Sequence, residues 1–301
     1  MKKIKDYISL LRIHQWVKNT FIFLPAFFGF QITDADVSRQ LIFCFFAFSF
    51  LASSIYIFND MLDVESDKLH KTKRNRPLAS GAVSKVEGII LMIAVCTLSI
   101  LIFIFFIPKA SVWFFAGVYF VQNILYTIIL KHISLIDVVL ISLGFVLRII
   151  IGGAASGTIL SHWIILMTFV LALFLALAKR RDDVSSYMQT GVKARKNIQG
   201  YNLIFLDVSI TIMATVVIIC YIMYCTSEEV VSRLHPFVYF TSLFVILGVL
   251  RYLQLTFVWL ISGNPTMVLL KNRFLQVVLL LWILSFAALI YFKDFFSQLF
   301  L

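Results

Sequence analysis

The chain alternates long apolar runs with short charged breaks. Nine runs read as membrane spans, near 20–32, 40–58, 86–107, 111–130, 135–155, 162–178, 205–225, 235–258 and 274–297. A helix needs roughly 20 apolar residues to cross a bilayer core. The first run is short, and Pro25 interrupts it. The pattern predicts an all-α fold: a polytopic membrane protein with nine transmembrane helices in a bundle, forming one domain over 1–301. No linker, low-complexity segment or close internal repeat divides it.

The breaks differ in charge. One alternating set carries twenty Lys and Arg residues and the other four, with Arg148 and Arg251 left inside spans. Positive charge concentrates on the cytoplasmic side, which places the N-terminus in the cytoplasm and, with an odd span count, the C-terminus outside. The expected location is the cytoplasmic (inner) membrane. The start, Met1-Lys2-Lys3-Ile4-Lys5, leads into an interfacial segment rather than a cleavable signal. Two cytoplasmic breaks, 59–85 and 179–204, are long and rich in both acid and base, whereas the outward breaks are short. These loops, between spans 2 and 3 and spans 6 and 7, are expected to form a cytosolic cap.

Composition narrows the class further. At 61% hydrophobic residues and a mean hydropathy of +0.97, the chain is too apolar for a soluble domain. A net charge of +11 would suggest nucleic acid in a soluble protein. Here topology accounts for it, and no nucleic-acid partner is expected. Cys44, Cys96, Cys220 and Cys225 all lie in apolar runs, without paired spacing. The five His are scattered, none at metal-ligand spacing, and no nucleophile triad, P-loop or Gly-rich nucleotide loop is present.

The chemistry concentrates at the end of the second run, in Asn59-Asp60-Met61-Leu62-Asp63-Val64-Glu65-Ser66-Asp67. If the helix continues, Asp60, Asp63 and Asp67 stand at i, i+3 and i+7 on one face. Carboxylates stacked in that way need a cation between them. Hard oxygen ligands suit Mg²⁺, which keeps waters and binds substrate phosphate. Lys68, Lys71, Lys73, Arg74 and Arg76 follow, a basic run suited to phosphate oxygens. Together they predict a diphosphate site at the membrane surface. The plainer alternative is a solvated loop carrying charge for topology, but such a loop has no use for regularly spaced Asp.

Arg148 lies in the middle of the fifth run. Charges at that depth face a cavity or a partner. Two readings stand: a structural pair with a buried acid such as Asp137, or a cation that holds an anionic head group. Asp137 is eleven residues away, roughly 16 Å along a helix, so a direct pair within one helix is disfavoured. Gly152-Gly153-Ala154-Ala155-Ser156-Gly157 reads as close helix packing. Gln122, Asn123 and Tyr126 divide evenly between bundle glue and site lining. By residue type alone, Trp16 and Lys18 are ordinary interfacial anchors.

The motif Asn59-Asp60-x-x-Asp63-x-x-x-Asp67, followed by Arg76-Pro77-Leu78-x-x-Gly81, resembles that of the UbiA superfamily of intramembrane prenyltransferases. The resemblance implies nine helices, a cytosolic cap and Mg²⁺-bound diphosphate. It is nearest to the branch typified by decaprenyl-phosphate phosphoribosyltransferase. Several segments carry that likeness: Arg12-x-x-Gln15-Trp16-Val17-Lys18-Asn19, Tyr126-x-x-x-x-Lys131, Gly144-Phe145-Val146-Leu147-Arg148, the run from Phe174 to Arg181, and Asn264-Pro265-Thr266. The aromatic prenyltransferases of the superfamily carry a second D-x-x-x-D motif after span six. Here that loop reads Asp182-Asp183-Val184-Ser185-Ser186, with Ser where the second Asp would stand.

The branch resemblance implies a reaction: phosphoribosyl pyrophosphate and a polyprenyl phosphate give a polyprenyl-phosphoryl-ribose 5-phosphate and pyrophosphate. It implies Mg²⁺ on Asp60, Asp63 and Asp67. Asn59, Lys68, Lys73, Arg74 and Arg76 then serve the diphosphate, and Lys179 and Arg180 the 5-phosphate. Lys18, Lys131 and Arg148, with Tyr126 nearby, serve the lipid phosphate. The roles of Asp182 and Asp183 stay open. The alternative within the superfamily is transfer of a polyprenyl group from its diphosphate to an aromatic or other acceptor. A lipid flippase would spread polar residues through the spans towards both faces, and here they gather on the cytoplasmic side.

Overall fold

The computed structural model describes residues 2–69, 73–191, 196–261 and 263–291. Lys71 of the basic run, Lys193 and Arg195 of the second charged loop, and the expected last span from 292 onward lie outside them. Among the described residues every regular element is a helix, and eight helices are long and apolar enough to cross a membrane. The chain forms two compact units, Met1–Leu160 and Ser161–Leu301.

The first unit contains α1 (Lys2–Leu11), a 3₁₀ helix (Ile13–Phe23), α2 (Leu24–Phe28), α3 (Ala35–Leu62), α4 (Val64–Lys68), α5 (Lys85–Phe106), α6 (Ala110–Ile128) and α7 (Ile136–Ser156). The inner helices are α3 and α7, each buried over 61% of its apolar window, against 17% for α5. Ile89, Ile90 and Ile93 of α5 point outward, as a lipid-facing side would. Asp34 caps α3 by accepting from the Asp36 and Val37 amides. A full capping box of Ser84 and Glu87 starts α5.

The first expected span takes a different form. Arg12 adopts a left-handed conformation (φ 52°) and ends α1. The chain then continues as the 3₁₀ helix, and Pro25 opens the short α2. The reason lies in the partner helix. Three residues of a 3₁₀ helix rise about 6 Å, and so do four residues of an α-helix. Trp16 and Asn19 therefore fall in step with Ser53 and Ser49 of α3. Trp16 Nε1 donates to Ser53 Oγ (3.0 Å), and Asn19 Nδ2 donates to Ser49 Oγ (2.9 Å). Ile22, the next residue on that face, is fully buried. From the other side α7 approaches through Gly152, where an added Cβ would overlap the Ile22 carbonyl.

The second unit contains α8 (His162–Thr190), a 3₁₀ turn (Lys196–Gly200), α9 (Leu203–Thr226), α10 (Glu228–Arg233), a 3₁₀ turn (Pro236–Thr241), α11 (Ser242–Phe257), α12 (Pro265–Lys271) and α13 (Arg273–Tyr291). The sequence ends the sixth span near 178, but α8 runs on to Thr190 and stops at Gly191 in the left-handed region (φ 68°). Asp182 and Asp183 thus ride on a helix rather than a loop. Trp282 Nε1 donates to the Tyr221 hydroxyl (2.7 Å), which lies 2.8 Å from that of Thr241. This buried chain ties three elements together where lipid gives helices no hydrophobic reason to associate.

Gly152→Ala is expected to lower the melting temperature of the detergent-purified protein, at a cost of about 1–3 kcal/mol from overpacking against Ile22. Gly117→Ala on α6, where an added Cβ meets nothing within 4 Å, is expected to be neutral or stabilising by up to about 1 kcal/mol. Equal losses in the two variants would contradict the close approach at Gly152.

Candidate functional site

Helical geometry continues through the acidic motif. The Asp63 amide bonds to the Asn59 carbonyl (3.0 Å) and the Asp67 amide to the Asp63 carbonyl (2.8 Å), so α4 follows α3 with one joint at Asp63. Leu10, Ile57, Val64, Leu78 and Val83 form a small core beneath this end of α3. That core anchors the turn 76–83, closed by amide bonds from Ser80 to Arg76 and from Val83 to Pro77. The turn presents Arg76 to the acids.

Asp60 and Asp67 are buried. Arg76 Nη1 donates to Asp60 Oδ1 (3.0 Å) and to Asp67 Oδ2 (2.6 Å), so a single nitrogen spans both carboxylates. Asp60 also accepts from Arg12, whose guanidinium lies over the Tyr56 ring. Asp63 turns the other way, accepting from Lys131 Nζ (2.7 Å) and Asn59 Nδ2 (3.1 Å). Three acids thus face three cations, as burial of charge requires.

Among the described residues, no three acidic or sulfur and imidazole side chains are grouped to hold a metal by themselves. Asp60 and Asp67 nevertheless converge on one cationic point with oxygen donors only. That arrangement fits Mg²⁺, which takes one or two carboxylates and completes its shell with water and substrate phosphate. A metal held there would free the Arg12 and Arg76 guanidinium groups for phosphate oxygens.

A second charged cluster lies in the same unit. Arg148 is only 4% exposed. Its Nε donates to Asn19 Oδ1 (2.9 Å), Nη1 to the Gly144 carbonyl (2.6 Å) and Nη2 to the Tyr119 hydroxyl (3.0 Å). Its guanidinium lies over the rings of Phe48, Tyr119 and Phe145. Among the described residues all its partners are neutral, so the pairing with Asp137 allowed by the sequence is not formed. Lys18 sits beside this group. Its ammonium adds a second positive charge close to Arg148 and Arg12. A buried guanidinium with neutral partners and an ammonium beside it leave positive charge uncompensated in an apolar setting.

The remaining expected residues divide. Lys68 pairs with Glu65 (3.0 Å) on the exposed face of α4, away from the buried acids, and Arg74 is exposed. Lys73 is half-buried beside Arg76 in the same loop. Tyr126 is half-buried, while Gln122 donates to the Leu140 carbonyl and Asn123 to that of Tyr119, both as helix glue. In the second unit Arg180 is buried and donates to Asp183 Oδ2 (2.9 Å), and Lys179 is half-buried. The carboxylate of Asp182 lies where a Cβ on Gly263 would stand, so the backbone at Gly263 passes directly over it. Arg12, Asn19 and Tyr119 received no role from the sequence. Arg12 and Asn19 bound the motif that contains Lys18. Tyr119 stands two turns before Tyr126 on α6, a weak signal by itself.

These features define a class first: an all-helical membrane protein with buried acids matched by basic side chains at one helix end and a buried arginine cluster nearby. Comparison makes it particular. A sequence model of the UbiA prenyltransferase family matches residues 22–260. The decaprenyl-phosphate phosphoribosyltransferase of Mycolicibacterium smegmatis is 32% identical over 303 residues, covering 96% of this chain and 94% of that protein. That of Corynebacterium glutamicum is 31% identical over 290 residues, covering 94% and 86%. A UbiA homolog from Archaeoglobus fulgidus, solved bound to GPP and Mg²⁺, superposes with a TM-score of 0.69 at 19% identity, covering 95% of this chain and 99% of that one. The chain belongs to the UbiA prenyltransferase family and is an integral membrane transferase.

Lys18→Ala is expected to raise KM for an anionic substrate at this cluster by about tenfold, the worth of one charge-assisted hydrogen bond, and to change kcat less. An unchanged KM in that variant would remove Lys18 from a role in binding an anion.

Proposed function

We propose that this protein transfers the 5-phosphoribosyl group of phosphoribosyl pyrophosphate to a polyprenyl phosphate, releasing pyrophosphate. The observation that carries this reading is Arg148, a buried guanidinium with neutral partners only, with Lys18 beside it. An acceptor that is itself a phosphate needs such an anion site in addition to the one that holds the leaving diphosphate. An aromatic acceptor does not. The names of the M. smegmatis and C. glutamicum relatives support the same choice.

In this reading Asp60, Asp63 and Asp67 would hold Mg²⁺, Asp63 exchanging its ion pair with Lys131 for the metal. Bound there, the metal neutralises charge on the diphosphate as it departs. Arg12, Arg76 and Asn59 bind its oxygens, and Lys73 and Arg74 lie in the same basic loop to assist. Lys18 and Arg148 hold the lipid phosphate, with Lys131 and Tyr126 as further contacts. Lys179 and Arg180 bind the 5-phosphate. The bond from the anomeric carbon to the diphosphate oxygen breaks, and a bond from that carbon to an acceptor phosphate oxygen forms. The acceptor is already an anion near neutral pH, so no general base is required. The residues instead bring two anions together without repulsion.

The same reading takes 1–301 as one UbiA-like domain with nine crossings, a cytosolic cap of charged loops, a cytoplasmic N-terminus and an outer C-terminus in the cytoplasmic membrane. The 3₁₀ helix and α2 together cover 16 residues. Eleven residues at about 2.0 Å and five at about 1.5 Å reach about 30 Å, the thickness of a bilayer core. A 3₁₀ segment thus gains with 16 residues the reach for which an α-helix needs 20.

Membranes containing the protein, given labelled phosphoribosyl pyrophosphate, a polyprenyl phosphate and Mg²⁺, are expected to move label into lipid, and EDTA to stop it. Label from a prenyl diphosphate into an aromatic acceptor, with none from phosphoribosyl pyrophosphate, would overturn the assignment. Asp60→Asn and Asp67→Asn are each expected to lower turnover at least about 10²-fold, the scale of losing a main electrostatic stabiliser. Arg148→Ala is expected to raise KM for the lipid phosphate more than for the donor.

A further inference from the structure

The second unit holds a charged pair that the proposed reaction does not use. Arg181 of α8 and Asp207 of α9 meet at 2.6 Å through Nε and Oδ1, and Arg181 Nη1 donates to the Thr256 carbonyl (3.0 Å) at the end of α11. The guanidinium also lies over the Phe257 ring, 5.1 Å from its centroid. Neither Arg181 Nη2 nor Asp207 Oδ2 makes a hydrogen bond among the described residues. Arg181 is mostly buried, while the Asp207 side chain is 39% exposed.

Arg181 and Asp207 line a groove of about 600 Å³ together with Val208, Thr211, Ile212 and Phe257. Val208 and Ile212 lie one turn apart on α9 and are 55% and 51% exposed. The groove therefore has a dipolar head and an apolar flank. Its depth follows from the chain. Arg181 stands just past the apolar part of α8, Asp207 lies in the second turn of α9, and Thr256 and Phe257 end α11. All belong to the end of these helices that carries the long charged loop, at head-group level.

We propose that this groove binds a zwitterionic phospholipid with a primary-amine head group, of the phosphoethanolamine class. Arg181 Nη2 donates to the lipid phosphate, Asp207 Oδ2 accepts from the ammonium, and an acyl chain lies along Val208 and Ile212. The charges select this occupant. A polyprenyl phosphate or another anionic lipid would bring negative charge against Asp207 with nothing to offset it. A quaternary choline has no N–H to give to Oδ2. The site rests on none of the residues assigned to the transfer reaction.

The test uses the full chain in detergent, exposed to an equimolar mixture of phosphatidylethanolamine, phosphatidylcholine and phosphatidylglycerol and read by native mass spectrometry. Wild type is expected to retain phosphatidylethanolamine at least about tenfold over either competitor, the worth of one charge-assisted hydrogen bond. Asp207→Asn keeps an acceptor for Arg181 and removes the charge, and is expected to bring the ratio close to one. Val208→Trp fills the apolar flank and leaves the ion pair intact, and is expected to lower bound phosphatidylethanolamine. The proposal fails if wild type shows no such preference, if phosphatidylglycerol is retained best, or if the preference survives in whichever of the two variants folds.

Discussion

A single nitrogen of Arg76 stands between two buried carboxylates, and the first unit is arranged around that fact. Asp60 and Asp67 lie at the end of an apolar helix, where paired negative charge is costly unless it is matched. Arg76 matches both, Arg12 reinforces Asp60, and Lys131 takes Asp63. Each cation arrives from a different element: the start of the 3₁₀ helix, the turn after α4, and the break between α6 and α7. The acids are thus the point at which four parts of the chain are fixed to one another. In the proposed reaction a divalent cation and a diphosphate would together take over what the three basic side chains supply.

The 3₁₀ helix serves both charge clusters. Its rise matches it to the serines of α3, which brings Asn19 inward. Asn19 then bonds Ser49 with its amide nitrogen and Arg148 with its carbonyl oxygen. An ordinary α-helix over the same residues would rise more slowly and lose step with Ser49 and Ser53. It would also turn Lys18 and Asn19 to other bearings. Gly152 completes the arrangement by letting α7 approach closely enough for Arg148 to reach Asn19. Backbone geometry that looks irregular is what places a guanidinium and an ammonium side by side in an apolar setting.

Arg148, midway along α7, and the mostly buried Arg181 of α8 show how partner choice decides role. Arg148 has only neutral acceptors and aromatic faces, so its charge is available to a ligand. Arg181 is tied to Asp207, so an anion alone gains little there, and a zwitterion gains on both sides. Residue type is the same in both places. The difference lies in whether a carboxylate stands opposite.

The sequence by itself determined the class, eight of the nine expected spans as long apolar helices, the acidic motif and the family, because hydropathy and spacing are local properties that survive without coordinates. It also marked Arg148 as exceptional, since a charge inside an apolar run is legible from composition alone. It could not decide whether Arg148 pairs with Asp137, because that depends on Arg148 meeting Asn19, 129 residues away, and Tyr119 on a neighbouring helix. It grouped Asp60, Asp63 and Asp67 by helical spacing, and only packing turned Asp63 toward Lys131 and away from the other two. The 3₁₀ form of the first run was likewise hidden, because its reason lies in Ser49 and Ser53 of another helix. Periodicity carries what a segment does alone; which charges meet is settled by the tertiary structure, since Coulomb interactions in a low-dielectric interior depend on distances that sequence separation does not encode.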